Sequence, residues 1–152
     1  MLHRPLAASA ALLVTATIGL AGCSSDSAAD ATGASSQVPG ATVTVPDSPE
    51  RVDAVRFAEV VSAPGAQIID VRTPEEFAEG HLEGAVNMNV QGADFAAQIS
   101  SLDPAGLYAV YCRSGNRSQA AVAAMADGGL SGIFELETGI VGWQEAGLPV
   151  VQ

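Results

Sequence analysis

From residue 50 onward the chain alternates two kinds of apolar spacing. Phe57, Val60 and Val61 recur at helical intervals, and Pro64-Gly65 ends that stretch. Ile68-Ile69-Asp70-Val71 is a short β-branched run of the kind a strand buried on both faces requires. Thr73-Pro74-Glu75-Glu76 predicts a helix start: Thr as N-cap, Pro at the first helical position, and acids facing the positive helix end. Residues 85–88 read as another strand, and Phe95, Ile99 and Leu102 mark a helix. Residues 107–111 are apolar throughout and form the clearest strand. An Ala-rich helix over 118–127 closes at Gly128-Gly129; a strand over 133–136 and a helix over 140–146 follow, before Gly147-Leu148-Pro149. Val43 and Val45, alternating with Thr, predict a short extra strand at the domain edge. Strands and helices in turn imply an α/β domain with a central, mainly parallel sheet flanked by helices and right-handed crossovers.

The first fifty residues follow a different rule. Arg4 supplies positive charge, and residues 6–20 are free of charge and mostly apolar, the layout of an export signal. The run is shorter than the ~20 apolar residues that span a bilayer. It ends in Leu20-Ala21-Gly22-Cys23, which resembles the lipobox of bacterial lipoproteins. That resemblance implies cleavage before Cys23 and a diacylglyceryl thioether on its sulfur. Residues 24–49 are Ser, Ala, Asp, Gly and Pro with few large apolar side chains, the composition of a flexible tether. The expected organisation is a signal peptide over 1–22, a lipidated Cys23 with its tether over 23–49, and a folded domain over 50–152. The domain would sit on the extracytoplasmic face of the cell membrane, held by lipid.

Charge narrows the partners. All six basic residues are Arg, and the domain from residue 50 carries a net charge of about −9. Such a surface repels phosphate backbones, so nucleic acid is an unsuitable partner. Two of the domain's Arg, Arg113 and Arg117, nevertheless share one short segment, Cys112-Arg113-Ser114-Gly115-Asn116-Arg117-Ser118. This segment joins the clearest strand to the Ala-rich helix, at the carboxyl end of a strand where α/β sheets place their sites. Gly115 permits a positive φ, so successive amides can turn inward as an anion nest at the helix start. A cysteine held there should ionise below its free value of ~8.5. The competing reading is a buried structural Cys, which the charged, glycine-containing continuation disfavours.

Four motifs in order resemble the rhodanese family: Ile69-Asp70-Val71-Arg72-Thr73-Pro74-Glu75-Glu76-Phe77, then Gly80-His81-Leu82-Glu83-Gly84-Ala85-Val86-Asn87, then the Cys112 segment, then Gly142-Trp143 with Gly147-Leu148-Pro149. The likeness runs from about residue 52 to the C-terminus. It implies a rhodanese-like α/β fold and a sulfurtransferase that carries a sulfane sulfur as a persulfide on Cys112. Arg113, Ser114, Gly115, Asn116, Arg117 and Ser118 would form the anion cradle. A small anionic sulfur donor such as thiosulfate and a thiol or cyanide acceptor are the implied partners, with no cofactor and no metal.

Other readings remain open on the sequence: a tethered module that binds or presents sulfur without rapid turnover, a Cys-dependent phosphatase, or a thiol-redox protein. Phosphatase relatives place their phosphate-binding Arg six residues after the cysteine, where this chain has Ser118. A redox role lacks a resolving cysteine if Cys23 is lipidated. Asp70 is a possible supporting residue, though a hydrogen bond to nearby amides is its simpler role. Arg72 is expected to pair with Glu76 or Glu79, His81 to satisfy backbone groups, and Phe77 and Trp143 to pack in the core. Thr138-Gly139 stands where many relatives have two glycines, which puts the turn geometry there in question.

Overall fold

The computed structural model describes residues 42–152. Among them, five strands and five helices alternate: β1 Glu50–Val52, α1 Ala54–Val61, β2 Ala66–Asp70, α2 Pro74–Glu79, β3 Val86–Asn87, α3 Phe95–Ser100, β4 Leu107–Tyr111, α4 Asn116–Asp127, β5 Ile133–Leu136 and α5 Gly139–Glu145. The strands form one sheet in the order β1-β5-β4-β2-β3, and every pairing in it is parallel. The α/β expectation with flanking helices is therefore met. The expected signal peptide, Cys23 and most of the expected tether fall outside the described residues.

β4 occupies the middle of the sheet, and its side chains alternate between two cores. Tyr108, Val110 and Cys112 face a cluster with Ile69, Val71, Phe95, Ile99, Met125 and Ile133. Ala109 and Tyr111 face the other cluster, with Phe57, Val60, Phe134, Leu136, Ile140 and Trp143. Both faces of the sheet are thus covered, which is why β4 reads as an unbroken apolar run. The same alternation directs Cys112 toward the α3–α4 layer.

Helix starts follow the chemistry expected at α2. Thr73 accepts from the Glu76 amide at 3.3 Å, the Glu76 carboxylate accepts from the Thr73 amide at 3.2 Å, and Pro74 opens the helix. At the other end of the chain the tail is tied back by His81 and Val151, whose amides and carbonyls exchange two 2.8 Å hydrogen bonds.

Several local expectations need correction. Val43 and Val45 form no strand; Val43 instead packs against the second core cluster, and the edge position beside β5 is taken by β1. Phe77 is half-buried rather than core, stacked on the His81 ring at 3.8 Å. Trp143 is buried as expected and meets Phe57 edge-on. Leu102 lies past the end of α3. The Thr138-Gly139 turn closes without difficulty: Thr138 takes φ −97°, open to any residue, and Gly139 alone takes the left-handed φ of 61°.

Candidate active site

Cys112 follows β4 directly, and the loop after it folds back over the sulfur. Gly115 makes this possible with φ 81°. The Gly115 amide then donates to Cys112 Sγ at 3.2 Å, while Ser118 Oγ, from the first turn of α4, lies 3.4 Å from the sulfur. The loop is held from the other side by α5, where the Ile140 amide donates to the Cys112 carbonyl and the Val141 amide to that of Arg113. Sγ is accordingly sequestered, with Cys112 only 1% exposed.

Burial pushes the Cys112 thiol up, but the contact with the Ser118 side chain and hydrogen bonds from the Ser118, Ser114 and Gly115 amides outweigh it. The net direction is down from the ordinary thiol value, as a helix-start cysteine should behave. Cys112 is a free thiol.

The two arginines of the loop have different employment. Arg117 is bound through both guanidinium arms to Glu76, at 2.6 and 2.7 Å. It therefore secures the loop to α2. Arg113 is exposed. Arg51, Arg56, Arg72 and Arg117 each have a carboxylate partner, so Arg113 is the unpaired arginine among the described residues. It lines a cleft of about 310 Å³ beside the loop, with Arg72, Glu76, Glu79, Gly80, Ile140, Val141 and Gln144 as the other walls. Ser114 and Asn116 are exposed on the loop's outer surface. The Gln119 amide group, one residue past the cradle, donates to the Gly115 carbonyl at 2.6 Å.

Asp70 takes the structural role. Its carboxylate accepts from the Arg72 amide at 2.9 Å and grips the Arg72 guanidinium, Nη2 to Oδ2 at 2.6 Å. The expected pairing of Arg72 with Glu76 or Glu79 is thereby corrected: Arg72 turns back to Asp70 and also donates to the Gly80 carbonyl at 2.6 Å. The His81 ring contacts the Phe77 carbonyl through Nδ1 at 3.0 Å, the backbone-satisfying role expected of it. No cluster of metal-ligating side chains occurs among the described residues, and none of their helices is long and apolar enough to cross a membrane.

One site residue escaped the sequence reading. Glu135 of β5 is 4% exposed and accepts from the Ser118 hydroxyl at 2.7 Å, two bonds' reach from the sulfur. The signal for it was present: a single acid within Ile133-Phe134-Glu135-Leu136, whose four residues are all buried.

A strand-end cysteine lies under a short loop at a helix start, in an α/β domain built on a five-stranded parallel sheet. A family profile described as "Rhodanese-like domain" matches residues 53–146, and the chain belongs to that family. It is 38% identical over 96 residues to thiosulfate sulfurtransferase 16 of Arabidopsis thaliana chloroplasts, covering 56% of this chain and 79% of the relative. It is 37% identical over 81 residues to the thiosulfate sulfurtransferase GlpE of Pseudomonas aeruginosa, covering 53% and 71%. Among solved structures, a rhodanese-related protein from Thermoplasma volcanium superposes with a TM-score of 0.60 at 32% identity, over 67% of this chain and 97% of that one.

Proposed function

We propose that this protein moves a sulfane sulfur from an anionic donor such as thiosulfate to a thiophilic acceptor through a persulfide on Cys112. The observation that carries the reading is the sulfur's position: at the end of the central strand, under the Gly115 amide at 3.2 Å and beside Ser118 at 3.4 Å. The Cys112 thiolate attacks the outer sulfur of thiosulfate; the donor's S–S bond breaks, and sulfite leaves with the bonding electrons. The amides that hold the thiolate then hold the terminal persulfide anion. Cyanide or a thiolate attacks that outer sulfur and restores Cys112. Arg113 supplies the positive charge that draws a dianion toward an otherwise acidic domain. The relatives named as thiosulfate sulfurtransferases support the choice of donor. The cradle spans only from Arg113 to Ser118, which suits one sulfur atom better than a tetrahedral phosphate. By its N-terminal sequence the protein is exported and held at the extracytoplasmic membrane face by lipid on Cys23.

Intact mass after thiosulfate treatment tests the proposal. Wild-type protein should gain one sulfur atom, cyanide should remove it as thiocyanate, and Cys112→Ser should do neither while remaining folded. An adduct that forms but turns over no thiocyanate would favour a sulfur-storing module. No adduct on folded, reduced protein would end the sulfur-transfer reading.

A further inference from the structure

Glu135 is a buried acid that the sulfur-transfer chemistry does not itself require. Its two oxygens are divided between partners. Oε2 faces the Arg51 guanidinium at 3.3 Å, and Oε1 accepts from the Ser118 hydroxyl at 2.7 Å. Ser118 is wholly buried, and its Oγ is in turn 3.4 Å from Cys112 Sγ. Three groups therefore stand in a line, and the one in the middle has a single proton to give. While Ser118 donates to Glu135, it can accept from a Cys112 thiol but cannot donate to a Cys112 thiolate. For Ser118 to donate to sulfur, Glu135 must acquire a proton.

We propose that Glu135 is a positioning residue that accepts the Cys112 proton through Ser118. The S–H bond of Cys112 breaks and its proton passes to Ser118 Oγ, while the proton Ser118 already carries moves to Glu135 Oε1. The site's net charge is unchanged, and Ser118 is left donating to the thiolate. Neither half of the sulfur transfer consumes a proton, so the step is needed only to form the thiolate. The proposal uses Cys112 as the nucleophile, as above, but concerns its proton and not its sulfur.

The surroundings favour a short path. From β1, Arg51 faces Glu135, and its guanidinium also donates to the Glu137 carbonyl at 3.1 Å. From α4, Arg117 pairs with Glu76 of α2 while its charge also acts on Cys112. At the end of β2, Asp70 and Arg72 neutralise one another. Arg113 is exposed, and Arg56 of α1 lies over the Phe134 ring, in the core on the other face of the sheet. Ser118 is thus the direct link between the carboxylate and the sulfur.

The test is a pH titration of thiolate absorbance in the full chain, with the signal of Cys112→Ser subtracted so that Cys23 cancels. Wild type sets the reference position of the thiolate step. Glu135→Gln should titrate about one pH unit below wild type, since the Gln amide donates to Ser118 and frees its proton for sulfur. Ser118→Ala should move the thiolate the other way, to higher pH, because the donor is lost and the carboxylate charge stays. Opposite displacements from adjacent members of one chain are not what general loosening produces. A wild-type step that Glu135→Gln leaves in place, or displacement of both variants in the same direction, would overturn the proposal. Its failure is separable from that of the sulfur-transfer reading, because mass gain with thiosulfate is read without reference to the titration.

Discussion

Arg117 clasps Glu76 with both arms of its guanidinium, Nη1 to Oε2 at 2.6 Å and Nη2 to Oε1 at 2.7 Å. The contact fastens the first turn of α4 to the first turn of α2. Glu76 Oε2 is also the acceptor for the Thr73 amide in the α2 capping box. One carboxylate therefore caps the start of α2 and anchors the loop that covers Cys112. The bidentate geometry is the strong form of an ion pair, and with Arg117 as the main cause it holds the Glu76 carboxyl down at about 2.

This depression gives Glu76→Gln a pH signature. A carboxyl that ionises more readily in the folded chain than in the unfolded one stabilises fully above the ordinary carboxylate range. That contribution then fades as pH falls toward about 2. The two side chains are 27% and 25% exposed, so solvent screening reduces the effect to about 1–2 kcal/mol. Thermal melts should place Glu76→Gln roughly 4–8 °C per kcal/mol below wild type near neutrality. The gap should close in acid. A gap independent of pH would mean that the pair contributes no charge stabilisation.

Arg113→Ala and Arg117→Ala should separate binding from loop support. Arg113 is exposed and unpaired, so its loss should raise KM for thiosulfate by roughly three- to fivefold, or about 0.6–1 kcal/mol, with kcat little changed. High salt should erase the difference. Arg117→Ala should instead lower melting temperature and kcat together, since it releases the loop from Glu76. Equal KM effects with unaltered stability in both variants would return Arg117 to the donor site.

The N-terminal reading predicts a mature chain that begins at Cys23, carries lipid and partitions into detergent. Cys23→Ser should leave the precursor unprocessed or release the domain from membranes. N-terminal mass analysis of protein from the native host's envelope decides the matter. A soluble, unmodified mature wild type would refute the anchor.

What the sequence conveyed depended on whether local pattern or distant partners decided the outcome. The strand over 107–111 was legible to the residue because burial on both faces leaves an unbroken apolar run. β1 was not: Glu50 and Arg51 are exposed, and Val52 alone is buried, so three residues carry no period. Thr73, Pro74 and Gly115 announced their roles because capping and positive φ are local demands. Arg72 misled because spacing to Glu76 and Glu79 has meaning only inside a helix, and Arg72 precedes α2. The Arg117–Glu76 clasp joins residues 41 positions apart, which spacing cannot reveal. Glu135 was visible as an acid in an apolar strand, yet its partners Ser118 and Arg51 became known only through the sheet order.

Gly115→Ala is the sharpest probe of the cradle, provided that backbone strain is distinguished from collision. Gly65 and Gly115 have nearly the same left-handed φ, 82° and 81°. A Cβ at Gly65 would meet no atom within 4 Å, whereas at Gly115 it would sit 1.9 Å from the Glu137 carbonyl oxygen. Gly65→Ala should therefore cost only the left-handed penalty, about 1–2 kcal/mol, and leave sulfur transfer intact. Gly115→Ala carries that penalty and also forces the loop away from Glu137, for a total of about 3 kcal/mol or more. The displacement pulls the Gly115 amide off the sulfur, so Cys112 should become less acidic and form persulfide more slowly. Chemical denaturation of both variants, alongside the rate of sulfur uptake from thiosulfate, separates the two costs. If the two substitutions prove equally mild, the Gly115 loop is not a fitted cradle, and the close approach of Glu137 has no part in holding it.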